Sequence, residues 1–401
     1  MKQHWCGLDW ASRTHAVCVV DDSGGIRARF EIPNTGKSFA SVVKRLVKLE
    51  VAGVAIERPD GPLVEALLEA GLTVHMVPPS MVKAVRARYG AAGAKSDPGD
   101  AFVLADLLRT DHHRLAPLAP DSPATKGLRA LTRTRKDLVE ARVALSNQLG
   151  AQLGVCFPGA IGLFGDLHSG VAAAFLRRYP TAAKAASLTE SRLAAFLRRI
   201  HYCGRTPVCE LLRRIKEAPP ASLGPEEDEL RAACVLALVE AIRGCEGRAR
   251  ELEAEIVERL EVHPDAHVFT SLPRAGHGVR AASLLAEIGD ARERFPDAES
   301  LMALAGAAPV TRASGKHRVV AFRWACDKKL RAAVIDFADD SRRASPWARG
   351  IYQRSMAKGH THPHAVRILA RAWLRVIWRC WQDGAAYDVT KHRGAVVPIA
   401  A

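Results

Sequence analysis

The chain has 401 residues, too many for one hydrophobic core, so two or three domains are expected. Its 48% hydrophobic and 25% charged residues are ordinary for a globular protein, and 58 Lys or Arg against 43 Asp or Glu give a net charge of +15, which favours a polyanionic partner. Nine scattered cysteines without a C-x-x-C pair argue against a zinc site or disulfide framework, and without the pattern of a signal peptide or a long uncharged apolar stretch a cytoplasmic protein with no membrane partner is expected.

From Trp5 to about Asp111 the pattern alternates strands with helices. Trp5–Ala11 is a short apolar run with Asp9 inside it, and His15–Val20 is a strand candidate. Asp21–Gly25 is a turn, and Ile26–Ile32 returns as a hairpin partner. Phe39–Leu49 has helical spacing with Ser38 as N-cap; Val51–Glu57 is the next strand. Pro62–Ala70 reads as a helix stopped by Gly71, Thr73–Val77 as a strand, and Lys95–Ala101 opens another helix. This order predicts a mixed sheet with helices packed on it.

Pro123 to about Leu153 then reads as one long basic amphipathic helix, followed by several shorter helices to about Pro220. Pro225–Val262 is a second long helix with an acidic first turn, suited to one arm of a coiled coil or helical hairpin, although Gly244 and Gly247 interrupt its stripe. Leu272–Gly289 suggests a glycine loop between helices, of the helix-hairpin-helix kind or a plain αα-turn. Helices are expected at Lys328–Ser341 and Pro363–Trp381, the latter with Arg367, Arg371, Arg375 and Arg379 at i, i+4 spacing. Between Thr311 and Trp381 there are 16 Lys or Arg and 4 Asp or Glu, so most of the net charge falls there. His360, His362 and His364 form an alternate-histidine run, but Pro363 favours a simple helix start over a metal site.

Asp9, Glu57, Asp97 and Asp100 carry the chemistry. A carboxylate inside or at the end of a strand is costly to desolvate and is ordinarily paired or bound to a cation. Several that converge repel one another unless a divalent ion is present, as in two-metal phosphoryl-transfer sites. The i, i+3 spacing puts Asp97 and Asp100 on one helical face. The same pair also suits capping, with Asp97 as N-cap, Pro98 at N1 and Asp100 at N3.

Gly7-Leu8-Asp9, Ile56-Glu57 and Asp97-Pro98-Gly99-Asp100-Ala101 resemble the DEDD signature of a RuvC-like, RNase H-type domain. Ser271-Leu272-Pro273, Leu285 through Asp290, Leu304 through Pro309 and Ser314-Gly315 resemble the C-terminal domain of transposases of the insertion-sequence 110 class (110/116/902). The resemblance implies an α/β RuvC-like DEDD catalytic domain over residues 1–115, a helical or coiled-coil connector over 116–265, and a mostly α-helical transposase domain over 266–401. It implies a DNA transposase or recombinase that uses Mg²⁺ or Mn²⁺ held by Asp9, Glu57, Asp97 and Asp100. Ser314 would be the nucleophile, attacking DNA to form a phosphoserine link. Element-end and target DNA, a structured guide RNA and further copies of the chain are the implied partners. Arg312, Lys316, His317 and Arg318 would neutralise the scissile phosphate; Arg323, Lys328, Lys329, Arg367, Arg371 and Arg375 complete the expected nucleic-acid surface. Asp9 and Ser314 fall in different predicted domains, so a composite site is implied. The chain departs from the family pattern at Arg274-Ala275, Ala313 and Asp327-Lys328. The alternatives are a branched-DNA endonuclease that uses water, and a nucleic-acid-binding protein without catalysis.

Overall fold

The predicted hairpin and alternating elements close into a five-stranded sheet in the order β3-β2-β1-β4-β5. The structure, a computed structural model, describes residues 3–89, 96–276, 278–314 and 317–391, without the side chains of Arg312 and Arg318. It divides into two compact units, one ending at Pro120 and one beginning at Asp121.

In the first unit β1 (His4–Asp9), β2 (Thr14–Asp21) and β3 (Ile26–Pro33) form an antiparallel meander. β4 (Val51–Ile56) and β5 (Val74–Met76) extend the sheet in parallel beside β1. Helices α1 (Gly36–Lys48), α2 (Pro62–Glu69), α3 (Pro79–Arg86) and α4 (Asp97–Asp111) cover it. The two-residue period of a strand sorts the contacts. Cys6, Leu8, Val54 and Ile56 pack with Phe39, Val42 and Leu46 of α1 and Leu63 and Leu67 of α2. Trp5, Cys18, Val20 and Ala55 point the other way, against Val82 of α3 and Ala101, Leu104 and Leu108 of α4. Strand β4 is an almost unbroken apolar run because both its faces are covered.

Two helix starts differ from the sequence expectation. Thr35, not Ser38, caps α1, because its hydroxyl accepts from the otherwise unpaired Ser38 N–H. Ser96, not Asp97, caps α4, its hydroxyl accepting from Gly99 N at 3.2 Å.

The second unit is mostly helical. Its spine is an antiparallel pair, α5 (Pro123–Cys156) and α10 (Pro225–Glu261). The contacts Thr125–His263, Arg142–Glu246 and Arg231–Gln152 run in opposite directions along the two. Gly244 and Gly247 do not break α10, since packing along its length outweighs the roughly 1 kcal/mol penalty of each glycine. Between these arms lie α6 (Gly170–Arg178), α7 (Ala182–Ala185), α8 (Glu190–Arg199) and α9 (Val208–Glu217), around a core of Leu153, Phe157, Phe175, Phe196 and Val239. A second core, built on Leu285, Phe337, Trp373 and Trp381, joins the other end of the pair to α11 (Ala266–Thr270), α12 (Val279–Ile288), α13 (Ala298–Leu304), α14 (Lys328–Ser341), α15 (Pro346–Ala357) and α16 (His362–Asp383). A hairpin the sequence reading did not anticipate, β6 (Val310–Ser314) and β7 (His317–Ala321), lies between α13 and α14. No helix among the described residues is long and apolar enough to cross a membrane.

Candidate active site

Strands β1 and β4 are parallel neighbours with Gly7 opposite Ala55 and Leu8 opposite Ile56. Asp9 and Glu57 follow directly on Leu8 and Ile56, where the paired stretch of the two strands ends. Asp9 shares a face with Trp5 and Gly7, and Glu57 with Ala55, so both carboxylates lie on the α4 side of the sheet. Both are half-buried.

Helix α4 runs antiparallel to β1. The Trp5 ring stacks on His112, just past the helix C-terminus, at 4.6 Å between centroids. At Gly7 the two backbones nearly touch: a Cβ there would sit 2.0 Å from Ala101 O and 2.4 Å from Ala105 N. Two strand residues advance about 6.8 Å, or between four and five helical residues. From the level of Ala101–Ala105, that step carries Asp9 to the first turn of α4, where Asp97 and Asp100 are. Asp97 is exposed and Asp100 buried. Because Ser96 does the capping, the capping reading of this pair falls away.

The Arg86 guanidinium, at the end of α3, is seated on Asp100 with Nη2 2.6 Å from Oδ1. Among the described residues no three His, Cys, Asp or Glu side chains come close enough together to hold one ion. Carboxylate oxygens from two strand ends and one helical turn are the donors a hard divalent cation takes, while Arg86 neutralises the most buried of them, Asp100, in place of an ion.

The second unit holds the basic residues. Ser314 is exposed and ends β6, paired in register with His317; Arg312 pairs with Val319 and Ala313 with Arg318. Lys316 lies outside the described residues, as do the side chains of Arg312 and Arg318. The expected arginine ridge on α16 divides. Arg367 and Arg371 line a cleft at the foot of the hairpin, whereas Arg375 pairs with Glu299 and Arg379 with Asp383. Lys329 pairs with Asp137 at 3.0 Å, Arg323 donates to the Ala308 carbonyl, and Lys328 is exposed at the start of α14. The interleaved tryptophans are structural: Trp373 and Trp381 are fully buried, and Trp378 donates to the Phe295 carbonyl.

The glycine loop before α12 follows a helix of only five residues, and Arg274 of the loop and Arg280 in the first turn of α12 both bind Asp340. The histidines of the alternate run have local neighbours: His360 meets Ser355, His362 meets Tyr352, and the His364 ring lies 4.2 Å from that of His360. Sequence reasoning missed Arg86, Phe322, Trp324 and Arg331. No periodicity marks them: Arg86 meets Asp100 on the following helix, and Phe322, Trp324 and Arg331 lie after the short hairpin whose strands carry no buried-face pattern.

Comparison with known proteins bears on both units. Residues 6–158 match a transposase model of the DEDD IS110 group, and residues 266–353 match the transposase IS116/IS110/IS902 family. A mini-circle putative transposase for IS117 from Streptomyces coelicolor is 33% identical, covering 99% of this chain and 98% of its own. The insertion element IS110 43.6 kDa protein of the same organism is 29% identical over 95% of each chain. The insertion element IS900 42 kDa protein of Mycobacterium paratuberculosis is 28% identical over 96% of each. Among solved structures, T. thermophilus RuvC in complex with a Holliday junction substrate aligns over 29% of this chain and 99% of its own, with 17% identity and a TM-score of 0.24. The first unit is a mixed α/β sheet covered by helices, as its sequence pattern implied, and a mostly helical region follows it.

Proposed function

This chain belongs to the IS116/IS110/IS902 transposase family, and on that premise we propose that it cuts and exchanges DNA strands in the cytoplasm by metal-dependent phosphoryl transfer through a serine-linked intermediate. One observation carries the reading. The β1–β4 register and the close approach at Gly7 bring Asp9 and Glu57 to the level of the α4 turn that bears Asp97 and Asp100.

These four residues would hold Mg²⁺ or Mn²⁺, which when bound supplies charge neutralisation at the scissile phosphate. Asp9 and Glu57 give a rigid base to the set because both strands are buried on two faces. Asp97 and Asp100 ride on a helix pinned to β1 at Gly7. Ser314, exposed at the end of β6, would attack the phosphorus of a DNA phosphodiester. The Oγ–P bond forms as the bond from phosphorus to one strand oxygen breaks, and that oxygen leaves with a proton in place of the one the serine gives up. A strand hydroxyl then displaces Oγ, and Ser314 recovers its proton. Each step trades one phosphoester bond for another, so no ATP is needed. The structured guide RNA and the multimer are supported by the family resemblance alone.

The test is covalent trapping. Full-length protein is incubated with labelled element-end DNA, RNA transcribed from the element's flanks, and Mg²⁺, then run on a denaturing gel. A protein–DNA adduct that disappears in both Ser314→Ala and Asp9→Ala is expected. Cleaved DNA without an adduct would replace this reading with a water-using endonuclease. Binding without cleavage would leave a nucleic-acid-binding protein.

A further inference from the structure

One cluster takes no part in the chemistry described above. At the foot of the β6–β7 hairpin a cleft of about 410 Å³ is lined by Ala308, Phe322, Arg323, His364, Arg367 and Arg371, among others. The Phe322 ring has two guanidiniums in cation–π range, Arg331 at 4.6 Å and Arg367 at 4.9 Å from its centroid. Arg331 lies over Gly306, where a Cβ would meet its Nη2 at 2.3 Å, and donates to the Arg323 carbonyl.

None of Arg323, Arg331, Arg367 and Arg371 makes an ion pair with a carboxylate among the described residues. Elsewhere in this chain partly buried arginines ordinarily do, as Arg129, Arg142 and Arg292 show. The Nε atoms of Arg331 and Arg371 are buried without a partner. Burial, then the charge of Arg331, lowers the pKa of Arg367. Like charges held together in a concave, partly desolvated place are unfavourable unless an anion joins them.

The rim supplies a second feature. Trp324 is 79% exposed, with its ring 4.8 Å from Phe322 and edge-on to it. The adjoining Val319 and Val320 are exposed as well. A flat, solvent-facing indole beside guanidiniums suits an unpaired base, whose π-face is free, and not a base already stacked inside a duplex.

We propose that this cleft binds a backbone phosphate of an unpaired nucleic-acid strand, with Arg323, Arg367 and Arg371 around the phosphate, Arg331 adding its charge from beside Phe322, and Trp324 stacked on the adjacent base. The inference deepens the strand-transfer reading and rests on it. Ser314 is four residue pairs farther along the same hairpin, about 14 Å from its foot, so the cleft would hold a strand beside the attacking hydroxyl.

The test reads binding alone. Full-length protein in EDTA is titrated against fluorescein-labelled 15-mers of dT, rU and a DNA duplex, by anisotropy across a salt series. Trp324→Ala should weaken single-strand binding at least about fivefold, the low end for one stacked base, and leave duplex binding within about twofold. Arg367→Gln with Arg371→Gln should weaken single-strand binding and shrink its log K against log salt slope by about 1.4, at about 0.7 per lost contact. Equal losses on dT and rU support phosphate-and-base recognition, and a loss on only one supports it and identifies the strand. Unchanged single-strand affinity in Trp324→Ala, whose exposed side chain is dispensable for folding, overturns the proposal. So does an equal loss on duplex and single strand. Because metal is withheld, failure here leaves covalent trapping untouched, and a missing adduct with intact Trp324-dependent binding would count only against the serine chemistry.

Discussion

Replacing Gly7 by alanine tests whether the carboxylates work as a positioned set. The substitution leaves Asp9, Glu57, Asp97 and Asp100 in place. Its new methyl would lie 2.0 Å from Ala101 O, 2.4 Å from Ala105 N and 2.8 Å from Leu104 Cβ. Two of these are backbone atoms of a helix, so no rotamer change relieves the overlap. An ordinary carbon–oxygen contact is about 3.2 Å or more, so α4 must withdraw from β1 by about 1 Å. Overpacking against rigid backbone costs about 3 kcal/mol, the upper end of the usual range. The same displacement carries Asp97 and Asp100 away from Asp9 and Glu57, and a misplacement of about 1 Å in a catalytic constellation costs on the order of a hundredfold in rate. Two measurements check this. Chemical denaturation followed by tryptophan fluorescence should show the stability loss, and cleavage of element-end DNA at saturating Mn²⁺ should fall about a hundredfold. Wild-type stability together with wild-type cleavage would refute the strand-to-helix geometry on which the site depends.

Arg86→Gln removes the cation from the buried carboxylate of Asp100; with Arg86 itself partly solvated, unfolding in metal-free buffer should become easier by about 2 kcal/mol. Mn²⁺ should restore more stability to this variant than to wild type, and equal melting curves without metal would contradict the pairing. Asp340 accepts from Arg274 at 2.9 Å and sits near Arg280 and Arg343, which hold its carboxyl below the usual carboxylate range. Its contribution is therefore fully present above the unfolded pKa of about 3.9 and is lost as pH falls below that value towards the folded pKa. Asp340→Asn should cost about 2 kcal/mol at pH 7, and the gap from wild type should close as pH falls below about 4 in acid-denaturation curves. A gap that stays constant across that range would show that charge at Asp340 is not the cause.

Much of this architecture was legible because it is written in local periodicity. The strands around Asp9 and Glu57 read as apolar runs, and α14 runs from Lys328 to Ser341 as its spacing predicts. What stayed hidden depends on contacts between segments far apart in the chain. Gly7 looks like part of a motif, and only the packing of α4 explains why nothing larger fits. Arg86 comes from a helix without special composition, and its tie to Asp100 crosses the gap between α3 and α4. The arginines at i, i+4 on α16 look equivalent in sequence. They differ because Glu299 and Asp383 neutralise two of them, while Arg367 lies over the Phe322 ring and Arg371 lines the same cleft. The β6–β7 hairpin escaped notice because its strands are short and its valines face solvent, which erases the buried-face alternation that marks a strand.

Carboxylates and arginines also divide between the units, which makes two properties separable. The acidic set belongs to the first unit, and the excess positive charge between Thr311 and Trp381 belongs to the second. Bare carboxylates repel a phosphate, so on the proposed reading metal governs cleavage, whereas guanidiniums attract the backbone whether or not metal is present. Chelation should therefore abolish strand cutting while leaving a salt-dependent affinity for nucleic acid nearly intact. Raising salt from about 50 to about 200 mM should do the reverse to binding, lowering it steeply. Asp9→Ala in Mg²⁺ should reproduce the chelated state, with affinity within about twofold of wild type by anisotropy. If chelation or Asp9→Ala instead removed binding, the first unit's metal would be holding the strand, and the arginines of the second unit would not be its main anchor.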